Sequence, residues 1–283
     1  MSQSNPGEAL SSFGALYWLL EAGADEAVGE SPVNRFRPRT ATPVPPPRPE
    51  PAPIRRPVAQ AHAANNAKAV PQTDHIGRAM ELAAACNTLH ELKATLEGFE
   101  GCALKQHATN TVFADGVPGA RILLIGESPG RDEDIAGLPF VGRAGKLLDK
   151  MLAAIGLDRK KNVYITNVLN WRPPNNRDPS PEEAAACLPF LRRHIELVNP
   201  ELIVLIGAVS ARHVLGKSEG IMRLRGTWLE YYVNDRMVPV MPILHPAYLL
   251  RRPADKKLAW RDLQAIAVKI HAQHLLEPEP TRG

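Results

Sequence analysis

From about residue 75 onward, short apolar runs alternate with stripes of helical period. The runs at 121–125, 162–166 and 201–206 are nearly continuous in Ile, Leu and Val, the pattern of strands buried on both faces of a parallel sheet. A turn and strand are expected over 222–232. Residues 238–244 form a further candidate strand, but Pro239 and Pro242 mark it as an edge strand or irregular. Between the strands, helical spacing covers 75–96 (Met80, Leu82, Ala83, Leu89, Leu92, Leu96), 146–152 and 208–215. It also covers 254–274, where Leu258, Leu263, Ile266 and Ile270 share a side. One helix start is explicit: Ser180 as N-cap, Pro181 in the first turn and Glu183 closing a capping box. That helix should reach Val198, with Pro189 kinking or shortening it.

Strand–helix alternation of this kind predicts an α/β domain with a mostly parallel central sheet covered on both faces. Three of the strands run into polar loops, beginning at Gly126, Asn167 and His245. In such a sheet the carboxyl ends lie together, so the three loops can wall one cleft. The first, Gly126 to Gly145, is rich in glycine, proline and charge. It is better suited to shaping a ligand site than to packing.

Composition sets the domain plan. The 27 prolines are unevenly spread: residues 31–57 are Pro- and Arg-rich and are followed by an Ala-rich stretch, and such a segment cannot bury enough apolar surface to order itself. The expected organisation is a short amphipathic helix within 1–30 (Phe13, Leu16, Tyr17, Leu20), a linker at 31–72, a folded domain at 73–276 and a tail at 277–283. The helix and linker are a candidate tether for a repair or replication protein. A net charge of +4 and a pI near 9.0 are compatible with a nucleic-acid partner without requiring one. Three cysteines, no leader-like start and no apolar run long enough for a bilayer imply a cytoplasmic protein with reduced thiols and no membrane partner.

Each chemical candidate has a plain alternative. Glu127 caps a loop or takes part in chemistry. Phe140 fills core or offers a flat face to a ring. Asn167 caps a turn or reads a base edge with its amide. His245 is a buried imidazole or a donor to a ligand. Together they place a stacking ring, an amide and an imidazole at convergent strand ends.

These residues carry a family resemblance. Gly126-Glu127-Ser128-Pro129-Gly130 with Asp132-Glu133-Asp134 and Gly137 to Gly145, then Arg172-Pro173-Pro174-Asn175-Asn176-Arg177-Asp178-Pro179, then His245-Pro246-Ala247-Tyr248-Leu249-Leu250-Arg251, resemble in order and spacing the motifs of the type 4 uracil-DNA glycosylases. The resemblance implies a three-layer α/β/α fold and a DNA repair enzyme that hydrolyses the N-glycosidic bond of uracil. It implies that Phe140 stacks on a flipped uracil, Asn167 pairs with its O4 and N3–H edge, and His245 donates to O2. Glu127 would help hold the attacking water, and Glu133 would crowd the C5 side. Leu249 and Leu250 either wedge into the DNA or anchor the next helix, while Arg251 and Arg252 meet phosphates. An aspartate found in glycosylases of another type is replaced here by Ser128.

The family also holds a [4Fe-4S] cluster on four cysteines. Here the corresponding positions are Phe99, Cys102, Trp171 and Cys187, so two thiolates are replaced by large rings. The expectation is therefore a chain without the cluster, the cluster-bearing form being the alternative. Two other functions stay open at this level: a uracil-DNA binding or cross-linking protein without turnover, and a glycosylase for another deaminated base.

Overall fold

Six strands form one sheet: β1 (Asp115–Gly116), β2 (Ile122–Gly126), β3 (Val163–Asn167), β4 (Leu202–Ile206), β5 (Leu229–Val233) and β6 (Arg236–Ile243). Their spatial order is β1-β3-β2-β4-β6-β5. The four inner strands are mutually parallel, and the outer strands β1 and β5 run antiparallel to their neighbours. The computed structural model describes residues 72–276; the expected N-terminal helix, the linker before residue 72 and the tail lie outside the described residues.

Nine α-helices among the described residues follow in chain order: α1 (Gln72–Ala84), α2 (Leu89–Gly98), α3 (Arg131–Ala136), α4 (Arg143–Ala153), α5 (Pro181–Val198), α6 (Ala208–Leu215), α7 (Ile221–Leu224), α8 (Pro246–Arg251) and α9 (Lys256–Ala272). Side chains alternate across the pleat, and each face of the sheet buries its own set. Leu123, Ile125, Ile203, Leu205 and Val240 face a layer containing Ala79, Leu92, Phe190 and Ile195. Ile122, Leu124, Ile165, Val204 and Met241 face Leu148, Leu152, Leu263 and Ile266. Residues buried on both sides explain why the strand sequences lack polar alternation. The result is the expected three-layer α/β/α arrangement.

Three local expectations need correction. The stripe at 75–96 is two helices. Thr88 caps α2 by accepting the Glu91 N–H at 3.1 Å, and Glu91 accepts the N–H of Asn87, just before the cap, at 2.7 Å, so a new helix starts here after α1 has ended. Pro189 does not shorten α5, which runs unbroken from its Ser180–Glu183 box to Asn199 in the left-handed conformation. The strand containing Pro239 and Pro242 is interior, between β4 and β5. The outer position is filled by β5, returned through a tight turn at Asn234, whose φ is 50°. None of the described helices is long and apolar enough to cross a membrane.

One buried polar group makes the fold sensitive to acid. His194 on α5 is stacked on Phe113 with ring centroids 4.3 Å apart, and its Nε2 lies 3.1 Å from the Tyr164 hydroxyl. Burial pushes its pKa from 6.5 down to about 3. The unfolded chain binds a proton at this residue near pH 6.5 while the folded chain does not, so stability is full above pH 6.5 and falls as pH drops towards 3. The slope approaches about 1.4 kcal/mol per pH unit per histidine. Urea unfolding at pH 7.0 and 5.0 will show the midpoint falling in the wild type and a shallower fall in His194→Phe. Equal slopes in the two proteins would contradict this assignment.

Candidate functional site

The parallel register sets Gly126, the last residue of β2, beside Asn167, the last residue of β3. β6 ends nearby, and the chain turns at His245 into α8. A cavity of about 410 Å³ opens at these three strand ends, with Glu127, Phe140, Asn167, Asp178, His245 and Arg251 in its wall. The convergence expected from the strand pattern is therefore present. Phe140, Asn167 and His245 share one space.

Gly126 has a steric reason to be glycine. A Cβ there would lie 2.3 Å from Asn167 Oδ1 and 2.6 Å from the Phe140 ring, so only a residue without a side chain admits both. Beyond it, the loop is more ordered than its composition suggests. It contains α3, whose Glu133 accepts the Gly130 N–H at its start, and Gly137 ends that helix with φ of 70°. Asp134, buried, accepts the N–H groups of Thr109 and Asn110 at 2.8 and 3.2 Å and ties the loop to the preceding segment.

The loop brings Phe140 into the cavity in a conformation rare for a bulky residue, with φ of 54°. Its ring is buried and lies 5.7 Å from the His245 ring, centroid to centroid. Gly145, at the start of α4, lets the Phe140 backbone come close, because a Cβ there would sit 1.9 Å from the Phe140 carbonyl oxygen. Glu133 lines the cavity, but its carboxylate is already engaged. Oε1 accepts from Val141 and Gly142 at 3.0 and 2.9 Å, and Oε2 from Gly130 at 3.1 Å. Glu133 thus organises the loop, and only its bulk is available to a ligand.

Asn167 is 2 % exposed, and its Oδ1 has no hydrogen-bond partner among the described residues. A buried acceptor without a donor is costly and rare in a folded protein, which marks this amide as awaiting one. His245 Nδ1 accepts the Ala247 N–H at 3.1 Å. In the neutral ring that bond places the proton on Nε2, making it a donor. Burial first, then the charge of Arg251, pushes the His245 pKa from 6.5 down to about 4, so near neutral pH the ring is an uncharged donor.

Two carboxyl groups at the cavity remain unclaimed by backbone amides. Glu127 is partly buried, and its pKa is raised by burial and then by Asp178, with Arg212 opposing. Asp178 stands exposed at the mouth. Its loop is fixed by Arg177, which grips Glu183 with both Nη atoms, at 2.8 and 2.6 Å. The residue reading did not single out Asp178, although it lies inside the Arg172 to Pro179 motif. Tyr248, also in the wall, was likewise passed over within the His245 motif; its hydroxyl donates to Asp255 at 2.7 Å.

The DNA-facing expectation divides. Leu249 is 1 % exposed and packs in the core beneath α8, so it anchors the helix and is not a wedge. Leu250 and Arg252 are exposed, and Arg251 reaches the cavity wall. On the opposite side of the sheet, Phe99, Cys102, Trp171 and Cys187 are all buried within one apolar cluster. Phe99 packs against Phe190 at 5.0 Å, and Trp171 Nε1 donates to the Thr111 hydroxyl at 3.0 Å. Both cysteines are free thiols: the neighbouring Cys187 lowers the pKa of Cys102, while the pKa of Cys187 is raised by Cys102 and by burial. Among the described residues no group of three or more His, Cys, Asp or Glu is placed to hold a metal ion. Two thiols flanked by packed rings do not fit a four-thiolate cluster.

A flat buried ring, an unpaired amide acceptor and a neutral imidazole donor thus share one cavity at the carboxyl ends of a parallel sheet. The profile of the uracil DNA glycosylase superfamily matches residues 113–264. The type-4 uracil-DNA glycosylase of Sulfurisphaera tokodaii is 39% identical over 185 residues, 64% of this chain and 84% of that protein. That of Archaeoglobus fulgidus is 47% identical over 156 residues, 54% of this chain and 78% of its own length. That of Thermotoga maritima is 43% identical over 156 residues, covering 55% and 79%. The chain belongs to the uracil DNA glycosylase superfamily and is type 4-like.

The electrostatics of His245 can be tested without a substrate. Two-bond ¹H–¹⁵N spectra should show the neutral Nε2–H tautomer at pH 6, with titration centred at about 4. A cationic imidazolium at pH 6, or a ring protonated on Nδ1, would overturn the assignment.

Proposed function

We propose that this protein excises uracil from DNA, hydrolysing the N-glycosidic bond and leaving an abasic site. The observation that carries the reading is the buried, unpartnered Oδ1 of Asn167 between Phe140 and His245. Uracil supplies an N3–H donor for that oxygen and an O4 acceptor for the amide nitrogen; cytosine presents the reverse, leaving buried groups opposed. Phe140 takes the face of a base drawn out of the stack. As the glycosidic bond breaks, negative charge grows on the base, and an uncharged Nε2–H aimed at O2 stabilises it with little reorganisation. Glu127 and Asp178 offer the carboxylates for holding the attacking water. Leu250, Arg251 and Arg252 form the adjoining surface for the strand. The names of the type-4 relatives support the same substrate.

The reading includes catalysis without an iron–sulfur cluster. It rests on the ligand chemistry: Cys102 and Cys187 remain, while Phe99 and Trp171, buried in the same apolar cluster, carry no thiolate. No residue assigned to the base pocket belongs to this group.

A labelled oligonucleotide with one uracil, incubated with the protein and then treated with alkali, should yield a cleaved strand. His245→Ala should lower the rate by about 10²–10³-fold, and Asn167→Ala by about 10–10²-fold. No cleavage from either single- or double-stranded substrate would end the proposal, and a denaturant-resistant protein–DNA band would favour capture without turnover. Stoichiometric iron and sulfide in anaerobically purified protein would refute the cluster-free part alone.

A further inference from the structure

The residue that sets Phe140 lies outside the three motif loops. Arg159, in the connection from α4 to β3, has a side chain only 12% exposed. Its Nη2 donates to the Phe140 carbonyl at 2.7 Å and its Nη1 to the Pro139 carbonyl at 3.0 Å. Two carboxylates orient the guanidinium: Asp115 Oδ2 accepts from Nη1 at 2.8 Å and Asp149 Oδ1 from Nε at 2.9 Å. On the far side of the same peptide unit, Glu133 accepts the Val141 N–H at 3.0 Å. The peptide linking Phe140 to Val141 is thus gripped at both ends, its carbonyl by a cation and its N–H by an anion. Charge-assisted bonds of this kind are about twice as strong as neutral ones.

The grip matters because Phe140 has a left-handed backbone, which is unfavourable for a bulky residue and must be compensated by its surroundings. Gly145 gives the carbonyl space, and Gly126 gives the ring space. Neither supplies an attractive force. Arg159 does, on the carbonyl side, and a planar fork is the group that can reach two successive carbonyls at once.

We propose that Arg159 is a positioning residue for base binding, holding the Phe140 ring in stacking position through the Phe140 carbonyl. It touches neither base nor DNA in this role. The inference rests on the uracil-excision reading, and the test separates the two.

Single-turnover excision of uracil from an oligonucleotide is measured for wild type, Arg159→Gln, Phe140→Ala and the double variant, each checked for folding by circular dichroism. Arg159→Gln should be slower by about 10–10²-fold, the scale on which a misplaced group costs rate. In the Phe140→Ala background the same change should cost less than about twofold, since Arg159 has nothing left to position. Inhibition by free uracil should weaken in Arg159→Gln while affinity for abasic-site DNA stays at the wild-type value, a separation that general loosening of the fold would not produce. If Arg159→Gln does not fold, Arg159→Lys, which keeps the charge but not the fork, takes its place. Excision within twofold of wild type, an undiminished loss in the Phe140→Ala background, or parallel loss of uracil and abasic-DNA binding overturns the inference. An inactive wild type instead overturns the uracil-excision reading.

Discussion

The candidate site depends on one steric constraint, the absence of a side chain at Gly126. The parallel register brings the ends of β2 and β3 level, so Asn167 and the Phe140 ring compete for the space above that residue. Glycine lets both in. The amide and the ring can then present an edge reader and a stacking surface at right distance for one planar ligand. A single methyl would force one of them out, because the Cβ positions fall well inside van der Waals contact with both. The sheet supplies the rigidity that makes this arrangement permanent. β2, β3, β4 and β6 are buried on both faces over most of their length, and their ends move only if two core layers move with them.

On that rigid base the loop is held by charge rather than by apolar packing. Glu133 binds the amides of Val141 and Gly142, Asp134 binds those of Thr109 and Asn110, and Arg159 binds the carbonyls of Pro139 and Phe140. Acidic and basic side chains that look like a solvated, ligand-facing set are engaged with the backbone. This division explains how a stretch with few apolar residues keeps a strained aromatic in place. It also leaves uncharged groups, an amide and a neutral imidazole, facing the cavity, where burial would oppose an ionised histidine.

Much of this was legible in the sequence, for identifiable reasons. Strands buried on both faces are rich in aliphatic residues, so β2 and β4 announced themselves, and Ser180, Pro181 and Glu183 spelled out a helix start that the hydrogen bonds match. The convergence of Gly126, Asn167 and His245 followed from parallel topology alone. Hydrophobic period could not register the break at Thr88, because the stripes of α1 and α2 share a period and only the cap separates them. The prolines of β6 misled, since proline discourages an interior strand without forbidding it when a hairpin partner covers the outside. Leu249 and Leu250 are adjacent and chemically identical; one is buried and the other exposed, a distinction set by the orientation of α8. Arg159 gave no signal because its partners are two carbonyls and two carboxylates, Asp115 and Asp149, brought to it only by the fold.

The layer that contains Phe99, Cys102, Trp171 and Cys187 is held by ring packing. Phe99 and Phe190 lie 5.0 Å apart, centroid to centroid, within the same apolar cluster as Trp171 and the two free thiols. Large aromatic rings contribute much of the buried area there. The Trp171 indole N–H finds a partner in the Thr111 hydroxyl, so it is not left as a buried unpaired donor. This layer packs on the face of the sheet opposite α4 and α9 and takes no part in the cavity wall. The aromatic layer and the cavity holding Asn167, Phe140 and His245 are thereby physically separate in this fold, joined only through the sheet between them.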